Sequence, residues 1–264
     1  MRTRETHINS NQDFKIHKKL QIKKSKKRRH KRNNYNLINF FKCLCLNYKI
    51  VVLLLVCCGY FSCPNIYFGY ISLLYTNFIS YVFHVLSHVT EISILNKLHL
   101  YHHTHGTLFG YFTEFIFEIV TFLVIPIIIK YAFCLTFINE YVLLFTFLIF
   151  TSVHLVNYSY IHVNHSHETH HAQVNLTLPN IKHNHKVSNF GPVYMDVLFG
   201  TNYKPYKQCE NYDHAILNTL FSFCFVFILK HLWENPQNQP FMSFIYKNVM
   251  VIFIIIYLLL YVIL

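Results

Sequence analysis

Charge is what most of this chain lacks. Only 13% of its 264 residues are Asp, Glu, Lys or Arg, against 53% hydrophobic, and the mean hydropathy is positive. Soluble domains carry roughly a quarter charged residues, so the composition excludes that class and places the chain among membrane proteins. Also missing is any Cys-x-x-Cys pair. The eight cysteines (Cys43, Cys45, Cys57, Cys58, Cys63, Cys134, Cys209 and Cys224) lie mostly within or beside apolar runs. That pattern excludes a zinc ribbon and argues against a disulfide framework, leaving the cysteines as packing residues.

The charge that exists is concentrated. Residues 1–33 hold thirteen Lys and Arg against Glu5 and Asp13, a net of +11 out of the formal +12. The run from Lys23 to Arg32 has the composition of a nuclear signal or a nucleic-acid arm. On so hydrophobic a chain it reads instead as a disordered cytosolic tail that is drawn to anionic lipid and fixes membrane orientation, with no nucleic-acid partner. It stands too far from the first apolar run, and is too long, for a simple cleaved signal peptide.

A membrane-spanning helix needs about twenty apolar residues. Six stretches qualify or nearly do, at 48–63, 66–84, 113–135, 141–160, 215–233 and 242–264. Pro64-Asn65 joins the first two and a turn near Asn139-Glu140 joins the next two, so both pairs read as helical hairpins. Counting from a cytosolic N-terminus puts the loops 85–112 and 161–214 on the cytosolic side as well. Lys97, Lys182, Lys186, Lys204 and Lys207 fall in those loops, against Lys130 and Lys230 near the opposite ends, in agreement with the positive-inside rule. The sequons at Asn157, Asn164 and Asn175 then face the cytosol and are expected to carry no glycans. Glu114 and Glu118 open the third span. They suit either a functional pair at a membrane boundary or carboxylates satisfied by a helix start.

Fourteen of the nineteen histidines fall between His84 and His185. They form three clusters: His84-x-x-x-His88, His99-x-x-His102-His103 and His167-x-x-His170-His171, with His162, His165, His183 and His185 near the third. On a helix, residues three or four apart share a face, so two imidazoles of each cluster can grip one cation. Eight to ten imidazoles exceed the three or four ligands of one zinc site, so the count implies two metals, and imidazole suits iron, copper, zinc and nickel alike. A metal transporter with histidine-rich cytosolic loops is the alternative, but it would favour ionisable residues inside the spans, which are nearly free of them.

These residues resemble the fatty acid hydroxylase and sterol desaturase superfamily, integral-membrane non-haem diiron oxygenases with HxxxH, then HxxHH about ten residues on, then a later HxxHH. Here HVLSH starts at His84, HLYHH at His99 and HETHH at His167. The family's closing Asn-aromatic-Gly, Asp and Phe-Gly-Thr are matched by Asn189-Phe190-Gly191, Asp196 and Phe199-Gly200-Thr201. The likeness covers about residues 80–203. It departs from the family pattern where eighteen residues part His171 from Asn189 and His183-Asn-His185 takes the nearer position. Either HETHH is the final box followed by an insertion, or His167 and His171 form a separate pair and HNH is a degenerate last box. Met195, where relatives carry an aromatic residue, is expected to affect packing only.

The apolar runs and the boxes together lead to the expectation of an all-α integral membrane protein of about four core spans with a cytosolic histidine-rich cap, plus a C-terminal pair (215–233 and 242–264) that is not part of the family's commonest pattern. The chain is thus expected to divide into a basic disordered cytosolic tail (1–35), a membrane catalytic domain (36–210) and a C-terminal transmembrane pair (211–264). The resemblance further implies two iron ions, O2, a lipid substrate (a sterol, sphingolipid or fatty acyl chain) that is hydroxylated or desaturated, cytochrome b5 or a reductase as electron donor, and a place in the endoplasmic reticulum membrane with the N-terminus and the histidine boxes cytosolic. The acyl-lipid and acyl-CoA desaturases share histidine boxes and are the nearest alternative. Asn189, Gly191 and Asp196 take supporting roles beside the metals, and no catalytic side chain is expected beyond the ligands.

Overall fold

The computed structural model describes residues 37–89, 93–104, 107–163, 167, 170, 171, 189–201 and 210–235. The basic tail, His165, His183, His185, Asn164, Asn175 and the predicted span at 242–264 lie outside these residues. Among the described residues every regular element is helical and there is no strand.

The chain enters through α1 (Leu37–Leu46), turns by 83° and continues as α2 (Tyr48–Phe61). Then follow α3 (Ile66–Val89) and α4 (Ser93–Thr104). The next rod joins α5 (Leu108–Glu118) through a π-helical segment, Ile119–Val124, to α6 (Ile125–Ala132). The rod after it is α7 (Glu140–Ser152), prolonged by a second π segment, Val153–Tyr160. A short α8 (Val193–Phe199) precedes a 3-10 turn, Asp213–Ala215, that leads into α9 (Ile216–Glu234).

Four helices are long and apolar enough to cross a membrane: Ile66–His88, Leu108–Ala132, Glu140–Tyr160 and Asp213–Glu234. They coincide with four of the six predicted spans. The first predicted span, 48–63, needs correction: α2 has 14 residues, about 21 Å at 1.5 Å per residue, short of a bilayer core of about 30 Å. It reaches spanning length only together with the sharply bent α1. Composition could not show this, because the apolar character runs through the bend.

The two predicted hairpins are present. At one end of the bundle the Asn139 side chain donates to the carbonyl of Phe61 (3.2 Å), Lys230 donates to that same carbonyl (3.3 Å), and Ser72 Oγ accepts from the Asn139 N–H (2.8 Å). Asn139 also caps α7, accepting from the Val142 N–H, and Lys130 pairs with Glu140 across the turn at 2.5 Å. At the opposite end the Asn47 side chain donates to the Glu210 carbonyl and accepts from the Tyr212 N–H. Tyr212 stacks near His214, and His214 near Tyr158. Thus α2 descends from the α1 bend, α3 returns beside it, and the rod from Leu108 and the rod to Tyr160 repeat the pattern.

Close helix approach holds the first hairpin. A Cβ on Gly69 would lie 2.2 Å from the Cys58 carbonyl oxygen, a backbone atom that cannot give way. Gly69→Ala is therefore expected to lower stability by about 1–3 kcal/mol, read as an earlier thermal transition of the purified protein in detergent, whereas an unchanged transition would show that α2 and α3 do not pack this closely. Below the crossing, Cys58, Phe61, Val142, Phe145 and Val226 form a buried core between α2, α7 and α9. The outward faces carry Val52, Val56, Leu74, Ile128, Phe221 and other large apolar side chains in the open. Exposed apolar surface of that extent is consistent with a lipid-facing exterior.

Cys57 and Cys58 are buried and free, as packing residues should be, and Cys45, Cys63, Cys134 and Cys224 are free and exposed. Cys43 differs from the expectation and is disulfide-bonded. Asn157 is buried, donating to the His214 carbonyl and to Asn218 Oδ1, which leaves no room for a glycan there.

Candidate metal centre

The histidine end of the bundle is assembled from four places. The last turns of α3 present His84 and His88 with rings stacked at 5.3 Å. The α4 helix presents His99, His102 and His103, the second π segment supplies His154, and His167, His170 and His171 close the site. Ligand nitrogens of His84, His88, His99 and His170 all lie within 4.8 Å of one another, and so do those of His102, His154, His167 and His171.

Helical register explains the sorting. Neighbouring residues on a helix point about 100° apart, while residues four apart point together. His99 and His103 accordingly face the first group, with His99 Nε2 lying 3.0, 2.8 and 2.9 Å from the Nε2 atoms of His84, His88 and His103. His102 turns to the second group, 3.2 Å from His171 Nε2. The later box is sorted the opposite way: His167 and His171 join the second group and His170 the first. His103 lies between them, its ring 4.8 Å from that of His170 and 4.2 Å from that of His171. Each HxxHH box therefore serves both groups.

The donor set fits metal ions. Two nitrogens at right angles on a cation, each at about 2.1 Å, stand about 3.0 Å apart, and the closest Nε2 pairs within the groups are 2.8–3.2 Å apart, with all ligand nitrogens of a group within 4.8 Å. Burial, reinforced by neighbouring imidazoles, holds His99, His102, His103, His167 and His171 below the ordinary histidine value. The rings are thus neutral at pH 7, the form that binds a cation.

Three functional side chains escaped the histidine boxes. His154 Nε2 is 3.2 Å from His167 Nε2, and its Nδ1 contacts Glu118 Oε1 and, at 3.3 Å, Glu114 Oε1. Glu114 Oε2 lies 3.4 Å from His99 Nδ1 and 3.8 Å from His102 Nε2. Both glutamates are 1% exposed, so the helix-start reading gives way to one in which they belong to the site. A signal existed for His154: it is the one Asp, Glu, Lys, Arg or His between residues 141 and 160, and such a residue inside a span marks function. Both π segments start at these side chains, one directly after Glu118 and the other at Val153 beside His154, and π segments often re-aim residues at functional sites.

His162 is exposed, with φ of 58°, and belongs to neither group. Of the two readings of the third box, the three histidines of HETHH are all in the groups, while His183 and His185 fall outside the described residues.

The Asn189-Phe190-Gly191 turn is held by Asp196. Its carboxylate accepts from the N–H of Phe190 (2.9 Å) and Gly191 (2.6 Å) and from the Thr201 hydroxyl (2.6 Å). Asn189 and Gly191 both take left-handed backbone angles. The clip presses Phe190 against the rings of His84, His88 and His170 at 5.4–5.7 Å. Met195 packs with Tyr81 and Phe190, as expected of a packing residue. Burial pushes Asp196 up to about 6 despite its three hydrogen bonds.

A cavity of about 190 Å³ leads away from His84, His154 and His167 between α2, α3 and α7. Ile50, Val51, Leu54, Leu73 and Ile149 make its wall mainly apolar. Compared with protein-family models, with curated proteins and with solved structures, the chain matches none.

Proposed function

We propose that this chain is a membrane-bound non-haem diiron oxygenase that hydroxylates or desaturates a lipid, using O2 and electrons from cytochrome b5 or a reductase. The observation that carries the reading is the pair of four-histidine groups, interleaved through two HxxHH boxes, at the mouth of an apolar cavity between apolar helices. The motif resemblance supplies iron as the metal and lipid as the substrate class.

Bound iron would supply O2 activation and removal of hydrogen from an unactivated C–H bond. The residues of the chain do the rest. His84, His88, His99 and His170 would hold one ion, and His102, His154, His167 and His171 the other. Ile50, Leu54, Leu73 and Ile149 exclude water and accept an apolar chain or ring, and Phe190 seals the first group from the Asp196 side. Transport of a metal is less well supported, because residues 66–83, 119–129, 141–153 and 215–229 contain no Asp, Glu, Lys, Arg or His to carry an ion across.

The proposed location is the endoplasmic reticulum membrane, with the basic tail and the histidine end both cytosolic. Consistent with that pairing, α1 follows the tail and joins α2 at Asn47, at the histidine end. The disulfide at Cys43 is the observation that weighs against a reducing face.

Lipid profiling tests the reading. Cells that make the protein are expected to accumulate a lipid with an added hydroxyl or double bond, and cells that make His102→Ala are not. Identical lipid profiles would contradict it.

A further inference from the structure

Two buried atoms at the centre of the site face each other without a hydrogen-bond partner. His99 Nδ1 and Glu114 Oε2 are both fully enclosed and unpaired, and they lie 3.4 Å apart. The other oxygen of the same carboxylate, Oε1, is 3.3 Å from His154 Nδ1. His99 belongs to the first histidine group and His154 to the second. In both rings the opposite nitrogen, Nε2, points at the other imidazoles of its group. One carboxylate thus stands behind one ligand of each metal position.

We propose that Glu114 is a positioning residue shared by the two metal groups. Its Oε2 takes the Nδ1–H of His99, and its Oε1 backs the His154 Nδ1–H that Glu118 accepts, an arrangement that leaves both Nε2 lone pairs free for cations. Glu118, one turn later on the same face of α5, is the hydrogen-bond partner of His154 Nδ1. The inference rests on reading the groups as metal sites, and it does not depend on the lipid reaction.

The chemistry requires a carboxylate. A neutral imidazole carries one ring hydrogen, and the partner of one nitrogen decides which nitrogen binds metal. Cations bound beside it would hold the carboxylate ionised, an acceptor at both oxygens, so Oε2 serves His99 Nδ1–H while Oε1 shares that of His154 with Glu118. Glutamine offers one acceptor oxygen and an NH2 group whose hydrogens would oppose the second Nδ1–H. Glu114→Gln should therefore keep one metal group and loosen the other. Glu118→Gln should loosen only the group that contains His154.

The test is cobalt(II) titration of the purified full chain, followed by its visible absorption and by competition with a chelator. The wild type is expected to take two cobalt ions per chain. Glu114→Gln should hold one with unchanged affinity and the other about 10- to 100-fold more weakly, with the thermal transition of the metal-free protein no lower than that of the wild type. Two cobalt sites of unaltered affinity in Glu114→Gln would overturn the inference. So would equal weakening of both sites together with a lower metal-free transition, since that is the mark of a residue that serves only the fold. If Glu114→Gln does not fold, Glu114→Asp, which keeps the charge but draws both oxygens back, decides: weaker cobalt binding with an unchanged metal-free transition supports the arrangement, and unaltered binding, or weaker binding with a lower transition, overturns it. A wild type that binds no cobalt sinks this inference along with the oxygenase reading. A wild type that binds two cobalt ions but alters no lipid sinks the oxygenase alone.

Discussion

Replacing His154 by alanine is expected to halve the metal content of the protein. The change deletes one nitrogen from the second group and, on its other side, strips Glu118 and Glu114 of the ring they face. Both carboxylates are 1% exposed, and an uncompensated buried charge costs about 3–5 kcal/mol, so the metal-free protein should lose stability as well. His170→Ala should empty the first group instead, and His162→Ala, at an exposed site in neither group, should leave both metals in place. Metal analysis of the three variants beside the wild type makes the comparison. Full metal content in His154→Ala would remove this residue from the site.

Acid is expected to expel the metals and weaken the fold below pH 6.5. Burial depresses His99, His102, His103, His167 and His171 in the folded chain, whereas in the unfolded chain they return to about 6.5. Their neutral state contributes stability that is fully present above that value and lost as pH falls below it. Each group removes up to about 1.4 kcal/mol per pH unit. Asp196 acts in the opposite sense: with its folded value raised to about 6, its contribution is present at low pH and lost as pH rises through 6. Five groups outweigh one, so the net effect of acid is loss. Thermal transitions of the metal-free protein between pH 7.5 and 5.5, alongside chelator-free dialysis of the loaded form, give the check. A transition that held steady or rose toward pH 5.5 would mean these rings are not buried neutral imidazoles.

Much of this arrangement is legible in the sequence because lipid imposes a simple rule on the chain. Apolar runs of spanning length mark α3, α9 and the rods Leu108–Ala132 and Glu140–Tyr160 to within a few residues, and polar Asn139 marks the hairpin turn. The bend between α1 and α2 is not legible, since a helix that turns by 83° has the same composition as a straight one. The histidine boxes are visible as spacing, and a helix wheel shows which members share a face. Their division into two interleaved groups depends on how α3, α4 and the segment around His170 meet, which spacing alone does not contain. His154 was obscured by the apolar run around it, and Glu114 and Glu118 by their place at a helix start. Asp196 and the Asn189-Phe190-Gly191 turn were matched to a motif, but only the three hydrogen bonds to the carboxylate give that motif a physical task. The cysteine nearest to Cys43 in sequence, Cys45, is free, so the disulfide of Cys43 had no local signal.

The metal that the protein holds is the most direct test of an oxygenase. The full chain, purified in detergent from cells supplied with iron, should contain about two irons per chain by elemental analysis, with the outer-shell scattering of imidazole rings in its X-ray absorption. Zinc alone, or no metal in a folded protein, would contradict it.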